Sequence, residues 1–179
     1  GGFQAFVPPA ILVSDLSPLV MELAAWGSNN PKKLPFLTQP RSTDFKYAQN
    51  LLKDLGALNI SGQITKLGQE IAREPTHPRL ARVLLEGNHN TRLAVALIES
   101  RDILMRPAPA DFALRISAVK NVKDFERNYS QRINHVARLQ VIEIAKKLSP
   151  KGKVELSPAQ MAALAYPDRI GMTRGGGRG

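Results

Sequence analysis

The chain has 179 residues and no cysteine, which excludes disulfides, thiolate metal sites and a thiol nucleophile. Its 43% hydrophobic and 22% charged residues are typical of a globular protein with its own core. The net charge of +10 is uneven, because residues 91–179 carry an excess of eight positive charges and residues 1–90 an excess of two. A basic half favours contact with a polyanion such as nucleic acid, although a generally basic, soluble protein would show the same excess.

The N-terminus has no charged segment followed by an apolar one, so it is not a secretory signal. No apolar run approaches the roughly 18–20 residues of a membrane helix, since Asp15 and Glu22 interrupt the best candidate. We therefore expect a cytoplasmic protein with no membrane partner. The missing initiator methionine indicates a piece of a longer chain.

The first half predicts three helices and a short β-hairpin. A helix begins near Ser14 or Ser17 and ends at Gly27, and a second runs from about Thr43 to Leu55. Two short strands, 58–60 and 63–65, then flank a Ser-Gly turn and predict a hairpin, the wing of a winged helix. Thr65 is expected to cap the third helix, which ends before Pro75.

The second half predicts an almost entirely helical structure. Helices open at Pro78 and Thr91, and Asp111 is expected to cap another after a Pro-rich linker. Apolar periodicity predicts a long helix from about Asp124 to Leu148, roughly 37 Å in length. Its expected inner stripe is Phe125, Tyr129, Ile133, Val136, Gln140, Ile144 and Leu148. Ser157-Pro-Ala-Gln is a capping-box start for the last helix.

The sequence contains no motif that indicates catalysis. It has no phosphate loop, no Rossmann glycine fingerprint, no HExxH and no GxSxG. His77, His89 and His135 are too far apart in sequence for a paired metal site, and His77 is interpreted as a helix cap beside Pro78. We therefore predict no catalytic residue, no metal site and no cofactor within this chain.

The best binding candidate is the basic face of the long helix. Guanidinium groups can bind phosphate or stack on bases, as single-stranded nucleic acid requires. A solvated helix face with lysines near its C-terminal dipole is the alternative. The candidate nucleic-acid-binding residues are Arg127, Arg132, His135, Arg138, Lys146 and Lys147. The Arg174-Gly-Gly-Gly-Arg178 tail is interpreted as a turn or strand at a chain end, although it also resembles a flexible Arg-Gly segment.

Several segments together resemble the helicase-associated region of DEAH-box ATP-dependent helicases. The first half supplies PPAILVSDLSPLVMELAAWG, LLKDLGALNISGQITKLGQEIA and HPRLARVLL, which are specific as an ordered set. The second half supplies LAVALIESRDIL and LAYPDRI, which favour the HrpB-type branch, while residues 110–157 match only loosely.

The resemblance implies a mainly α fold, a winged helix with a short β-hairpin wing followed by a helical bundle. It implies a lead-in at 1–7, a winged-helix domain at 8–74, a ratchet-like bundle at 75–166 and the truncated start of a C-terminal extension at 167–179. Two RecA-like domains of the parent chain would bind ATP and Mg²⁺ and act as the motor. This region would guide single-stranded RNA or DNA beside them.

A protein–protein docking module with no direct strand contact is the alternative function. A sequence-specific DNA reader that uses the Thr43–Leu55 helix is less favoured. Two acidic residues cancel two basic residues on its outward face, whereas a helix that reads the major groove needs net positive charge.

Overall fold

The computed structural model describes residues 15–30, 32 and 40–169, and this part of the chain forms nine α-helices. They are α1 (Ser17–Ala25), α2 (Ser42–Asp54), α3 (Lys66–Arg73), α4 (Pro78–Glu86), α5 (Thr91–Glu99), α6 (Phe112–Lys120), α7 (Val122–Asn128), α8 (His135–Lys146) and α9 (Pro158–Ala165). The lead-in at 1–7 and the Arg-Gly tail lie outside the described residues.

Two groups of buried apolar side chains form the interior. The first is built by α1, α2 and α3, with Leu52 and Ile71 almost fully buried. The second is built by α4 to α9 and includes Phe125 and Val141. Helix α4 joins them, because Ala81 packs in the first group while its neighbours Leu80 and Leu84 pack in the second. The domain limit at 74 and 75 stays a prediction.

Local capping signals in the sequence are confirmed. The Thr65 hydroxyl accepts a hydrogen bond from the Gly68 amide at 2.9 Å and caps α3. Asp111 caps α6 in the same way, and Ser157 caps α9 in a complete capping box with Gln160. Each cap satisfies an amide that the first turn of its own helix leaves unpaired, so it depends on residues only two or three positions apart.

The predicted β-hairpin wing is wrong, because the described residues contain no β-strand. Only one isolated antiparallel bridge, between Leu58 and Ile64, stands where the two strands were expected. Backbone pairing beside the bridge is limited to two hydrogen bonds, from the Asn59 amide to the Gln63 carbonyl at 2.8 Å and from the Thr65 amide to the Ala57 carbonyl at 2.9 Å. The Ala57 and Leu58 amides donate to the Leu52 carbonyl at the end of α2, and Thr65 caps α3. The ends of the two helices thus confine the pairing to this one bridge.

The predicted long helix from Asp124 to Leu148 is also wrong, because it is broken into α7 and α8. The connecting segment pairs with a distant part of the chain. Leu104 and Ile133 form an antiparallel bridge, and the Met105 amide donates to the Arg132 carbonyl at 2.8 Å. The side chain of Asn134 then caps α8 by accepting a hydrogen bond from the Ala137 amide.

The break changes which face of α8 is buried. Its buried residues are Ala137, Val141 and Ala145. Val136, which was assigned to the inner stripe, is 62% exposed, and Gln140 is exposed as well. The predicted inner stripe is therefore wrong at Val136 and Gln140. Because α8 begins anew at its own cap, its residues do not continue the face that α7 buries.

The last described turn holds the two groups of helices together. Asp168, just after α9, forms a two-pronged ion pair with Arg79 of α4 at 2.8 and 3.0 Å. Its second oxygen also accepts a hydrogen bond from the Tyr47 hydroxyl of α2 at 3.0 Å. The Arg79 guanidinium donates to the Ala165 carbonyl and lies over the Tyr166 ring, 4.4 Å from its centroid. Two of the segments that carry the family resemblance, HPRLARVLL and LAYPDRI, thus meet in one ion pair.

Candidate nucleic-acid interface

The structure divides the six predicted binding residues into three groups. Arg127 near the end of α7, Arg132 in the connecting segment and His135 at the start of α8 are all exposed at one corner of the bundle. Lys146 and Lys147 are exposed at the other end of α8, about 16 Å away along its axis. Arg138 lies between them, and its guanidinium points at another helix.

Arg138 caps the C-terminal end of α6. Its Nη2 donates to the Val119 carbonyl at 2.7 Å, and its Nε donates to the Ala118 carbonyl at 3.3 Å. Carbonyls in the last turn of a helix lack intrahelical partners and carry partial negative charge, so a guanidinium there stabilises the helix end. Arg138 is therefore part of the bundle's internal structure rather than of a free basic face.

Replacing Arg138 with methionine should lower the free energy of unfolding by about 1–2 kcal/mol, because two charge-assisted hydrogen bonds are lost. Urea unfolding followed by circular dichroism measures the effect. Arg138→Lys is the matched control, and it should recover only part of the loss since an ammonium cannot reproduce the two-pronged geometry. Full stability in Arg138→Met would contradict this capping role.

The corner between α7 and α8 contains a shallow recess of about 370 Å³. Tyr129 lies in its wall and is 46% exposed, with its ring stacked on Phe125 at a centroid distance of 4.9 Å and an interplanar angle of 26°. The lining residues are Met105, Glu126, Tyr129, Ser130, Gln131, Arg132, Ile133 and His135. Two of the predicted residues, Arg132 and His135, are thus brought together around an aromatic ring.

The sequence did not predict that Tyr129, Gln131 and Met105 line this recess. Tyr129 was assigned to the inner stripe of the long helix, and Met105 lies just before the Pro-rich linker. The sequence feature that could have indicated a break in the predicted helix is the run Asn128-Tyr129-Ser130, followed by Asn134. Asn and Ser favour caps and turns over helix interiors, and Asn134 is indeed the cap of α8.

One exposed ion pair and one exposed histidine–carboxylate contact bear on the charge of the candidate residues. His135 Nε2 lies 3.7 Å from Glu126 Oε1, and Lys146 Nζ lies 3.0 Å from Glu143 Oε1. All four side chains are more than half exposed. Such pairs contribute little in water, about 0–1 kcal/mol, so a polyanion can replace the carboxylate at small cost.

A second polar cluster joins α1 to the start of α4. The Ser17 hydroxyl donates to Asp15 Oδ1 at 2.6 Å, and His77 Nε2 lies 2.7 Å from Asp15 Oδ2. Burial alone would raise the pKa of Asp15, but the hydrogen bonds from His77 and Ser17 outweigh it and lower this pKa to about 2.

This serine, histidine and aspartate cluster is not arranged for nucleophilic catalysis. His77 Nδ1 accepts from the Arg79 amide at 3.1 Å, which caps α4 and leaves the hydrogen of the neutral ring on Nε2. A nitrogen that carries its proton cannot act as a base toward the Ser17 hydroxyl, and that hydroxyl already donates to Asp15. The predicted capping role of His77 is confirmed.

The described residues bring no three His, Asp or Glu side chains together where they could hold a metal ion. Within the same residues, every helix is too short or too polar to cross a membrane.

Known proteins resemble this chain over most of its length. The winged-helix family model of the helicase-associated domain HA2 matches residues 48–73. The ATP-dependent RNA helicase HrpB of Escherichia coli is 30% identical over 169 residues, which is 93% of this chain and 19% of that protein. The ATP-dependent RNA helicase HrpA of the same organism is 30% identical over 98 residues, which is 52% of this chain and 8% of HrpA.

The fold gives the same result. The crystal structure of the Escherichia coli DEAH/RHA helicase HrpB superposes with a TM-score of 0.60 and 27% identity, and the match covers 90% of this chain and 19% of that one. The chain therefore spans about a fifth of the length of HrpB. By sequence and by fold, it matches the helicase-associated region of DEAH-box helicases of the HrpB type.

Proposed function

We propose that this chain is an accessory nucleic-acid-binding region of an ATP-dependent RNA helicase of the HrpB type. It guides a single RNA strand in the cytoplasm while RecA-like domains of the full-length protein hydrolyse ATP with Mg²⁺. Residues 8–74 act as the winged-helix domain, and residues 75–166 act as the ratchet-like bundle. The relatives HrpB and HrpA are RNA helicases, which supports RNA over DNA as the strand.

The observation that carries this proposal is the corner between α7 and α8. Exposed Arg132 and His135 line its recess together with the exposed ring of Tyr129, and Arg127 is exposed near the end of α7. A guanidinium beside an aromatic ring, as Arg132 is beside Tyr129, provides both interactions that a single strand offers, phosphate contact and base stacking. A basic surface without an aromatic group would favour a less specific polyanion contact.

The test is fluorescence anisotropy of a labelled single-stranded RNA, titrated with the chain at 20 mM and at 200 mM salt. If two or three phosphates are neutralised, the affinity should fall about 25- to 100-fold over that tenfold range of salt. A folded sample that binds no RNA at 20 mM salt would contradict the proposal.

Paired charge reversals locate the contact. The double variant Arg127→Glu and Arg132→Glu should abolish most of the binding, because it reverses the charge of the two predicted binding arginines that are exposed. The matched control is Lys46→Glu with Lys66→Glu, since both lysines are exposed on α2 and α3 and the net charge changes by the same amount. Equal losses in the two double variants would indicate a general charge effect and no site.

A docking module without strand contact is the second candidate, favoured by a groove beside the end of α5. Val136 and Leu139 are 62% and 57% exposed and line this groove, whose volume is about 620 Å³. Exposed apolar patches with polar rims often mark protein contacts. Normal RNA binding by the arginine variants, with loss of motor-domain association on replacing Val136 and Leu139 by serine, would favour docking.

A further inference from the structure

The side chains that line the recess at the corner of α7 and α8 indicate which part of a strand it can bind. We propose that it binds one unpaired nucleobase, stacked on Tyr129, and that it prefers bases with an exocyclic amino group. This inference rests on the proposed function of the same corner, and it adds which part of the strand enters and which bases are favoured.

Tyr129 provides a fixed stacking surface. Its ring stacks on Phe125, which is 1% exposed and belongs to the second core, while the Tyr129 ring itself remains 46% exposed. A ring that is already held by a buried neighbour loses little further freedom when a base stacks on it. Such stacking accepts any base, because every base has a π face.

The charges in the recess suit a base better than a phosphate. Glu126 is part of the lining, and its carboxylate would repel a phosphate placed there. His135 Nε2 lies 3.7 Å from the Glu126 oxygen, which is beyond hydrogen-bond distance, so this contact does not saturate the carboxylate as an acceptor. The recess therefore combines an acceptor with an aromatic wall, and exposed Arg132 at the same recess can meet the adjoining phosphate.

The carboxylate gives the recess its base preference. An ionised carboxylate only accepts hydrogen bonds, so it pairs with the amino group of cytosine and also with the amino groups of adenine or guanine. Uracil has a carbonyl oxygen, O4, where cytosine has its amino group, and the carboxylate repels it; the one donor on that edge of uracil is the N3–H, which lies between two carbonyl oxygens. The Gln131 amide, which also lines the recess, can donate and accept and so does not oppose either base.

Anisotropy titrations of the whole chain with labelled oligo(C) and oligo(U) of equal length test this preference. Both are pyrimidine strands of equal charge, so their difference isolates the base. Oligo(C) should bind several-fold more tightly, and Glu126→Gln should reduce the ratio toward one, because an amide can also donate to uracil. Tyr129→Ala should weaken both strands about fivefold or more, whereas Tyr129→Phe should retain them.

The outcomes separate this inference from the proposed function. If wild-type chain binds RNA while Tyr129→Ala and Glu126→Gln bind both strands like wild type, the nucleobase recess is wrong and strand binding stands. If the folded wild-type chain binds neither strand at low salt, both proposals fail. If Tyr129→Ala instead loses association with the motor domains and keeps RNA binding, the recess is a protein contact and the inference is overturned. Circular dichroism of each variant checks that it is folded.

Discussion

Replacing Asp168 with alanine should lower the free energy of unfolding by about 3 kcal/mol, the lower end of the range for removing one partner of a buried ion pair, because the Asp168 side chain is still 16% exposed. Its partner Arg79 is 8% exposed. In the variant, the Ala165 carbonyl and the Tyr166 ring would remain as partners of the guanidinium, with no carboxylate to balance its charge. Urea unfolding monitored by circular dichroism measures the difference.

Because of where Asp168 lies in the fold, its removal should cost more stability than the removal of one residue of a surface ion pair. Its carboxylate receives two hydrogen bonds from Arg79 of α4 and one from Tyr47 of α2, so it contacts both groups of helices. Burial would raise the pKa of Asp168, but the hydrogen bonds and positive charge of Arg79 lower it, so the group is ionised at neutral pH. The bond to Tyr47 spans 121 residues, so its loss also loosens α2 against the end of α9.

Two control variants test whether the loss of stability comes from leaving the positive charge of Arg79 unpaired. Tyr47→Phe removes a single hydrogen bond and should cost only about 1 kcal/mol. The double variant Arg79→Met and Asp168→Ala should be more stable than Asp168→Ala alone, because it no longer buries an unpaired charge. A loss below about 1 kcal/mol in Asp168→Ala would show that water reaches the guanidinium and that the pair contributes little.

The parts of the fold that could be predicted from the sequence are those set by neighbours along the chain. The caps formed by Thr65, His77, Asp111 and Ser157 each depend on a side chain and an amide within the next three positions. The physical cause is local, because the first turn of a helix leaves amides that only a nearby acceptor can satisfy. These predictions are confirmed.

The two wrong predictions have different causes, and the cause for the long helix is non-local. Apolar periodicity continues from Asp124 to Leu148, and no sequence pattern in that stretch shows that Leu104 pairs with Ile133, 29 residues later. That pairing ends α7 and allows Asn134 to start α8 in a new phase. The wing fails because the ends of α2 and α3 use the backbone groups that strands would need.

The sequence could predict several residues of the candidate site, but it could not predict how they are arranged. A helical projection correctly assigned Arg127, Arg132 and His135 to an exposed surface. It placed Arg138 on the same face, whereas that guanidinium reaches the end of α6 and donates to the Ala118 and Val119 carbonyls. It also placed Tyr129 in the core, whereas of these two stacked rings only that of Phe125 is buried. Which side chains of a basic helix are available is thus decided by tertiary contacts.

The stability of the chain should depend on pH through Asp15, whose pKa is about 2 in the folded protein against an ordinary value of 3.8. A carboxyl whose pKa is lowered by folding stabilises the folded state above its ordinary pKa, and that contribution is lost as the pH falls through the folded value. The shift corresponds to about 2 kcal/mol, present in full above about pH 4.5 and lost progressively toward pH 2.

Comparison of wild type with Asp15→Asn isolates this contribution from the other carboxylates that titrate in the same range. The difference between their free energies of unfolding should be constant from pH 7 to pH 5 and should shrink as the pH falls toward 2. Ser17→Ala should show an intermediate dependence, because it removes the hydroxyl that donates to Asp15 and leaves both the Ser17 amide and His77 in place. A difference that stays constant down to pH 2 would show that the cluster of Asp15, Ser17 and His77 does not favour the ionised carboxylate. The link between α1 and α4 would then depend on apolar packing alone.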